Sequence, residues 1–166
     1  FADAFGLEVE GVEEVWHGLR PPFSELFDWA EGRAAQPTAR NVPVFRPFML
    51  AHPLEETKVS LDDYAAEWKW DGIRAQMIKR DSKIFIWSRG EDLATEKFPE
   101  LHPFLNALPD GTVLDGEILS FRGGLPLPFN VLQTRIGRKN LSKKILEESP
   151  VAVIAYDCLE YKGEDI

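Results

Sequence analysis

Short polar turns separate the apolar segments of this chain so that strands follow one another as hairpins, and that pairing narrows the fold more than any other feature. Residues 67–79 read as a strand, Arg80-Asp81-Ser82-Lys83 as a polar turn, and residues 84–88 as the returning strand. Pro109-Asp110-Gly111 opens a further strand over residues 112–121, which closes at Arg122-Gly123-Gly124. Residues 151–159 form the last strand, followed by the turn Lys162-Gly163-Glu164-Asp165. Helices are predicted between these strands. One starts at Thr95 as N-cap and runs toward Leu108, with Phe98, Leu101, Phe104, Leu105 and Leu108 at helical spacing and Pro99 and Pro103 dividing it. Another runs from Pro128 to Ile136, and a third is capped by Ser142 and stopped by Pro150. The run Ile84-Phe85-Ile86-Trp87 is continuously apolar, which predicts burial on both faces. Hairpin strands with helices inserted between them specify an α+β fold of mostly antiparallel sheets. Regular strand–helix alternation is missing, which counts against a doubly wound sheet, and no Gly-rich phosphate loop is present.

The first 45 residues differ from the rest. Residues 24–30 are amphipathic, and residues 31–43 are rich in small residues and proline, as a linker is. Residues 41–53 are apolar and punctuated by proline, so they should be extended and packed. Ser60-Leu61-Asp62-Asp63 predicts one helical turn. We therefore expect residues 1–43 to be the tail of a preceding domain with its linker, or a connector to one, and residues 44–166 to belong to the domain that follows. Phe1 in place of an initiator methionine suggests a piece of a longer polypeptide.

The net charge of −9 is unevenly spread. Residues 1–40 hold eight acids against three bases, whereas residues 126–149 hold five bases (Arg135, Arg138, Lys139, Lys143 and Lys144) against Glu147 and Glu148. On charge alone the basic stretch reads as a solvated helix face. The single cysteine, Cys158, excludes an internal disulfide and a cysteine metal cluster, and its apolar surroundings make it a buried small hydrophobe. His17, His52 and His102 show no ligand spacing. There is no apolar run of bilayer length and no leader pattern, so the expectation is a monomer in the cytoplasm with no membrane association.

The densest chemistry lies in Glu67-Trp68-Lys69-Trp70-Asp71-Gly72-Ile73-Arg74. In an extended segment Glu67, Lys69 and Asp71 would share one face. A lysine between two tryptophans resists protonation, because desolvation disfavours its charged form and frees the amine lone pair. Asp71 pulls the other way, and a divalent cation nearby would reverse that bias. Gly72 permits a bend, and Arg74 offers a fork suited to phosphate or ribose oxygens. The rival is an exposed strand of alternating charge held by a salt bridge, and these residues alone leave both open. Trp70, Trp87 and Phe85 read as core; Glu91 and Asp92 read equally well as solvated turn carboxylates.

Lys69-Trp70-Asp71-Gly72-Ile73-Arg74 resembles the Lys-x-Asp-Gly-x-Arg signature of covalent nucleotidyltransferases, a superfamily of DNA ligases, RNA ligases and mRNA-capping enzymes. Further motifs follow in the family's order: Ser88-Arg89-Gly90-Glu91, then Leu114-Asp115-Gly116-Glu117-Ile118, then Tyr156-Asp157-Cys158-Leu159. Residues 45–51 (Phe-Arg-Pro-Phe-Met-Leu-Ala) and 128–139 are similar to ATP-dependent DNA ligases of bacteria and archaea.

The resemblance implies the nucleotidyltransferase (ATP-grasp-like) fold and a DNA ligase adenylation domain, with residues 44–166 as its N-terminal part and residues 1–43 as the tail of an N-terminal DNA-binding domain plus linker. Lys69 would attack the α-phosphate of ATP to form lysyl-AMP, which then passes to the 5′-phosphate of nicked double-stranded DNA. It implies that Glu67 accepts from the adenine amino group and that Arg74 and Arg89 contact ribose and phosphate. Glu117 would hold a ribose hydroxyl or help place Mg²⁺, with Asp71 and Asp115 in support. Tyr156 would stack on adenine where the family usually has phenylalanine. Arg135, Arg138, Lys139, Lys143 and Lys144 would hold the duplex by its phosphates. The family's later Glu-Gly and Lys-x-Lys motifs have no counterpart here, so full ligation by these residues alone is not expected. An RNA ligase, a capping-type enzyme, and a non-catalytic nucleotide- or DNA-binding remnant are the alternatives.

Overall fold

The computed structural model describes residues 1–16, 18–19, 21–37, 45–49, 51–54 and 60–166. Six helices and six strands are present among them: α1 (Ala2–Phe5), α2 (Val9–Trp16), α3 (Ser24–Ala30), β1 (Ile73–Arg80), β2 (Lys83–Ser88), α4 (His102–Ala107), β3 (Thr112–Arg122), β4 (Leu125–Pro126), α5 (Phe129–Ile136), α6 (Lys143–Glu148), β5 (Val151–Tyr161) and β6 (Glu164–Asp165). The strands form one antiparallel sheet in the order β2-β1-β3-β5-β6, with β4 added to β3. This is the α+β arrangement expected from the hairpin pattern.

The three hairpins share one device. Each turns on two residues in the left-handed region: Asp81 and Ser82, Gly123 and Gly124, and Lys162 and Gly163. Such pairs match the twist of the flanking strands. Asp110 stabilises the first turn by accepting from the amides of Asp81 and Ser82 at 3.1 and 2.8 Å.

One face of the sheet is apolar. Ala75, Met77, Ile86 and Ile118 alternate toward Phe98, Leu101, Leu105 and Leu132 from the helical layer, all buried. The predicted helix between Thr95 and Leu108 is divided: single 3-10 turns at Thr95–Lys97 and Pro99–Leu101 precede α4. Thr95 does not cap it; its hydroxyl accepts from the Ile86 amide at 3.0 Å instead. Ser142 does cap α6, accepting from Ile145 N at 3.3 Å. The expectation for β2 also changes. It is an edge strand, and only Ile86 is fully buried, while Phe85 and Trp87 are half-buried. Trp70 and Cys158 are likewise half-buried.

Arg135 is corrected most strongly. Its guanidinium is fully buried, bidentate to Glu100 at 2.5 Å in both contacts, and donates to the carbonyls of Lys97 and Ser149. It is an internal strut joining α5 to the 3-10 turns and cannot meet a DNA phosphate. Arg135→Met should lower stability by about 2 kcal/mol, because two carbonyls lose their donor while Glu100 stays partly hydrated. Chemical denaturation measures this.

The other sheet face carries a second polar cluster. Glu160, 1% exposed, accepts from Arg80 at 2.6 and 3.0 Å and from Arg46 at 3.2 Å. Burial alone would raise the Glu160 pKa, but the two arginines hold it below its ordinary 4.5. A folded-state value below the unfolded one supplies stability above pH 4.5 that disappears as pH falls through the lowered value. Glu160→Gln should therefore flatten the acid limb of a stability–pH curve and lower stability near neutrality; an unchanged acid limb would refute this.

Candidate active site

The strand that should carry Lys69 begins later than its sequence suggests. Residues 67–72 are irregular, and β1 starts only at Ile73. The reason is contact with β3. A Cβ on Gly72 would press into the carbonyl oxygen of Ile118 and lie 2.7 Å from Leu119 Cδ2 and 2.9 Å from Glu117 Cγ. The chain can pass this close to β3 only as glycine. The Gly72 amide then donates to Glu117 Oε1 at 3.1 Å. The signature segment thus becomes a loop draped over the sheet, with Trp68 84% exposed and Lys69 exposed. The aromatic desolvation expected around Lys69 is not supplied by its tryptophan neighbours.

Strand register assembles the rest. Arg74 faces Glu117 across β1 and β3, and Gln76 faces Asp115, so all four share the face opposite the apolar core. Arg74 grips Asp115 with both arms, Nε to Oδ1 at 3.1 Å and Nη2 to Oδ2 at 2.9 Å, while Nη1 donates to the Met49 carbonyl. Three of five N–H groups are so used, leaving two. The Arg74 guanidinium also lies over the rings of Phe48 and Tyr156, at 5.5 and 5.8 Å. Tyr156 reaches this point through a bulge: Asp115 pairs with Asp157 and Gly116 with Ala155, so Tyr156 has no partner on β3. At the end of β2, the Arg89 amide donates to the Arg74 carbonyl at 3.0 Å.

The electrostatics are consistent with a charged ligand. Asp115's hydrogen bonds raise the pKa of Arg74 against the opposing effect of burial. Burial raises that of Glu117, although the Gly72 amide, Arg74 and Lys69 oppose it. Tyr156 is pushed up to about 12, by burial first and then by Asp115, so the ring is neutral near pH 7.

Glu67, Lys69, Asp71, Arg74, Arg89, Asp115, Glu117 and Tyr156 line one cavity of about 1230 Å³. That volume exceeds what a mononucleotide needs. The expected metal set is not assembled: among the described residues no three of His, Cys, Asp and Glu converge on a cation position. Asp115 has both oxygens on Arg74, and Glu117 holds Gly72. Of the basic stretch, Arg138 and Lys139 are exposed, and Lys143 and Lys144 pair with Glu147 and Glu148 at 3.8 and 3.7 Å.

Sequence reasoning gave no role to the carbonyl of Met49, the ring of Phe48 or the side chain of Gln76. Gln76 had a readable signal, being a polar residue two positions after Arg74 and so on the same face of the strand. The Met49 carbonyl had none, because backbone contacts leave no mark on residue identity.

A lysine on a loop over an antiparallel sheet, with arginine, carboxylates and an aromatic ring in one cavity, defines a candidate nucleotidyl-transfer site. The chain belongs to the family described as ATP dependent DNA ligase domain, whose sequence model matches residues 48–166. It is similar to a probable DNA ligase of Koribacter versatilis, 45% identical over 76% of this chain and 23% of that protein. It is also similar to a probable DNA ligase of Anaeromyxobacter sp., 36% identical over 90% of this chain and 30% of that protein. Among solved structures, the ligase domain of LigD from M. tuberculosis matches 60% of this chain and 30% of its own, at 28% identity and a TM-score of 0.47. The chain thus spans roughly a quarter to a third of the length of these relatives. No helix among the described residues is long and apolar enough to cross a membrane.

Proposed function

We propose that this chain is the first part of the adenylation domain of an ATP-dependent DNA ligase, acting in the cytoplasm as a monomer on nicked double-stranded DNA. One observation carries the reading: eight residues spread from position 67 to 156, each implied by the family motifs, line a single cavity. In this reading the Lys69 amine attacks the α-phosphate of ATP. The P–N bond forms as the bond to pyrophosphate breaks, the amine proton is lost, and lysyl-AMP results. The AMP then passes to the 5′-phosphate of the nick.

Each neighbour has a positional task. The neutral Tyr156 ring presents a π-face to adenine, and Glu67 accepts from its amino group. Arg74, locked by Asp115, keeps two N–H donors for ribose or phosphate, and Arg89 adds a second cation. Glu117 accepts a ribose hydroxyl. Mg²⁺, which the family implies, finds no three-ligand cage among the described residues and would enter on the phosphates of ATP. Residues 1–43 are read as the end of an N-terminal DNA-binding domain with its linker, and residues 44–166 as the start of the adenylation domain.

ATP radiolabelled at the α-phosphate tests the reading by forming a covalent adduct that is stable to alkali and cleaved by acid, as a phosphoramidate on lysine is. Tight DNA binding without an adduct under any metal would instead support a non-catalytic remnant. The exposed basic residues Arg138, Lys139, Lys143 and Lys144 are read as the phosphate-binding surface. Neutralising them should reduce the log–log salt slope of duplex binding by about 0.9 for each phosphate that is no longer neutralised. A slope equal to the parent's would remove them from the interface.

A further inference from the structure

Residues 45–49 cross the sheet as a strap outside any strand, and the two ends of that strap meet different chemistry. On the cavity side, Pro47 and Met49 line the pocket, the Met49 carbonyl accepts from Arg74, and the Phe48 ring lies 5.5 Å from the Arg74 guanidinium. On the far side the strap is anchored by residues that do not line the cavity. Phe45 is buried, its ring 5.3 Å from Trp87. Gln76, fully buried on β1, accepts from the Arg46 amide at 2.6 Å and donates to the Arg46 carbonyl at 2.9 Å. One side-chain amide thereby replaces the two ladder bonds that a neighbouring strand would have made. The Arg46 side chain reaches Glu160 at 3.2 Å and Asp165 at 2.5 Å.

We propose that Arg46, clamped by Gln76 and Glu160, is a positioning residue of the nucleotide site, holding the strap so that Phe48 and the Met49 carbonyl fix Arg74 for ATP. The proposal rests on the reading of this cavity as an ATP site. The charges around Glu160 support it: Arg80 already meets that carboxylate through two hydrogen bonds at 2.6 and 3.0 Å. A second arginine is therefore not required to neutralise the buried carboxylate, and what Arg46 adds is the tie to the strap. Arg74 is held on one side by Asp115 and on the other by strap atoms, so release of the strap frees one arm of the fork.

The test compares Arg46→Met with Arg80→Met. Both remove one arginine from the same glutamate, but only the first loosens the strap. Calorimetric titration with ATP in magnesium buffer should show binding weakened about tenfold in Arg46→Met and changed less than about twofold in Arg80→Met, whatever each does to the melting temperature. In the labelling assay, Arg46→Met should raise the ATP concentration for half-maximal adduct formation and leave the limiting rate unchanged, since Lys69 is not displaced. Should Arg46→Met fail to fold, Gln76→Met, which removes only the backbone clamp, is expected to give the same loss of affinity. ATP affinity equal to the parent's in the folded variant, or equal weakening in Arg80→Met, overturns the proposal and leaves the ATP site standing. A parent protein that does not bind ATP overturns both.

Discussion

Replacing Lys69 with alanine should reduce covalent labelling by α-labelled ATP to background while leaving the fold intact. Among the described residues two lysines line the cavity, Lys69 and Lys97, and the Lys97 amine is engaged with the Arg138 carbonyl. Lys69 is exposed, so its removal should cost less than about 0.5 kcal/mol of stability. Lys69→Arg should be equally inactive, because a guanidinium keeps the positive charge but cannot give up its proton to become a nucleophile. That pair of variants separates a nucleophile from a cation that merely holds phosphate. An adduct of parental intensity in Lys69→Ala, mapped to Lys97, would move the chemistry to the other wall of the cavity. Labelling in Lys69→Arg but not in Lys69→Ala would mean that charge, not nucleophilicity, is the contribution of this position.

Gly72→Ala is expected to damage both stability and activity, and more severely than any other glycine substitution lining the cavity. Its new methyl would press on the Ile118 carbonyl, a backbone atom fixed in the central strand β3, which cannot rotate aside. Either the loop lifts from the sheet or β3 shifts; overpacking of this kind costs about 3 kcal/mol. For a chain of this length that is a fall of roughly 6–12 °C in Tm. The Gly72 amide would also leave Glu117, and Lys69 would be carried away from Arg74. Gly90→Ala is the control. It also lines the cavity, but the nearest atoms to its added methyl lie 3.7 Å away, on Asp92 and Ser88, an ordinary contact. Scanning calorimetry and the labelling assay should find Gly72→Ala crippled and Gly90→Ala close to the parent. A Gly72→Ala protein that melts and labels normally would show that the close approach to β3 is not needed.

The sequence by itself determined the hairpins, and it named the eight residues that line the cavity. These are local properties: a two-residue turn, a period of two, a four-residue signature. Phe98, Leu101 and Leu105 announced their burial through spacing, and Ser142 announced its cap. Only the tertiary structure decided three things that depend on what lies opposite. Arg135 looked like its basic neighbours in sequence, yet Glu100 and two carbonyls enclose it, so it is core and not surface. Residues 67–72 had the alternation of a strand, but contact between Gly72 and β3 turns them into a loop, which places Lys69 over the cavity. Asp115 and Glu117 had the composition of a metal site, yet cross-strand register sets Asp115 against Arg74 and Glu117 against Gly72. In each case a charged or glycine residue carries no sign of its partner in its own neighbourhood, because the partner lies 35 to 45 residues away and is delivered only by the sheet.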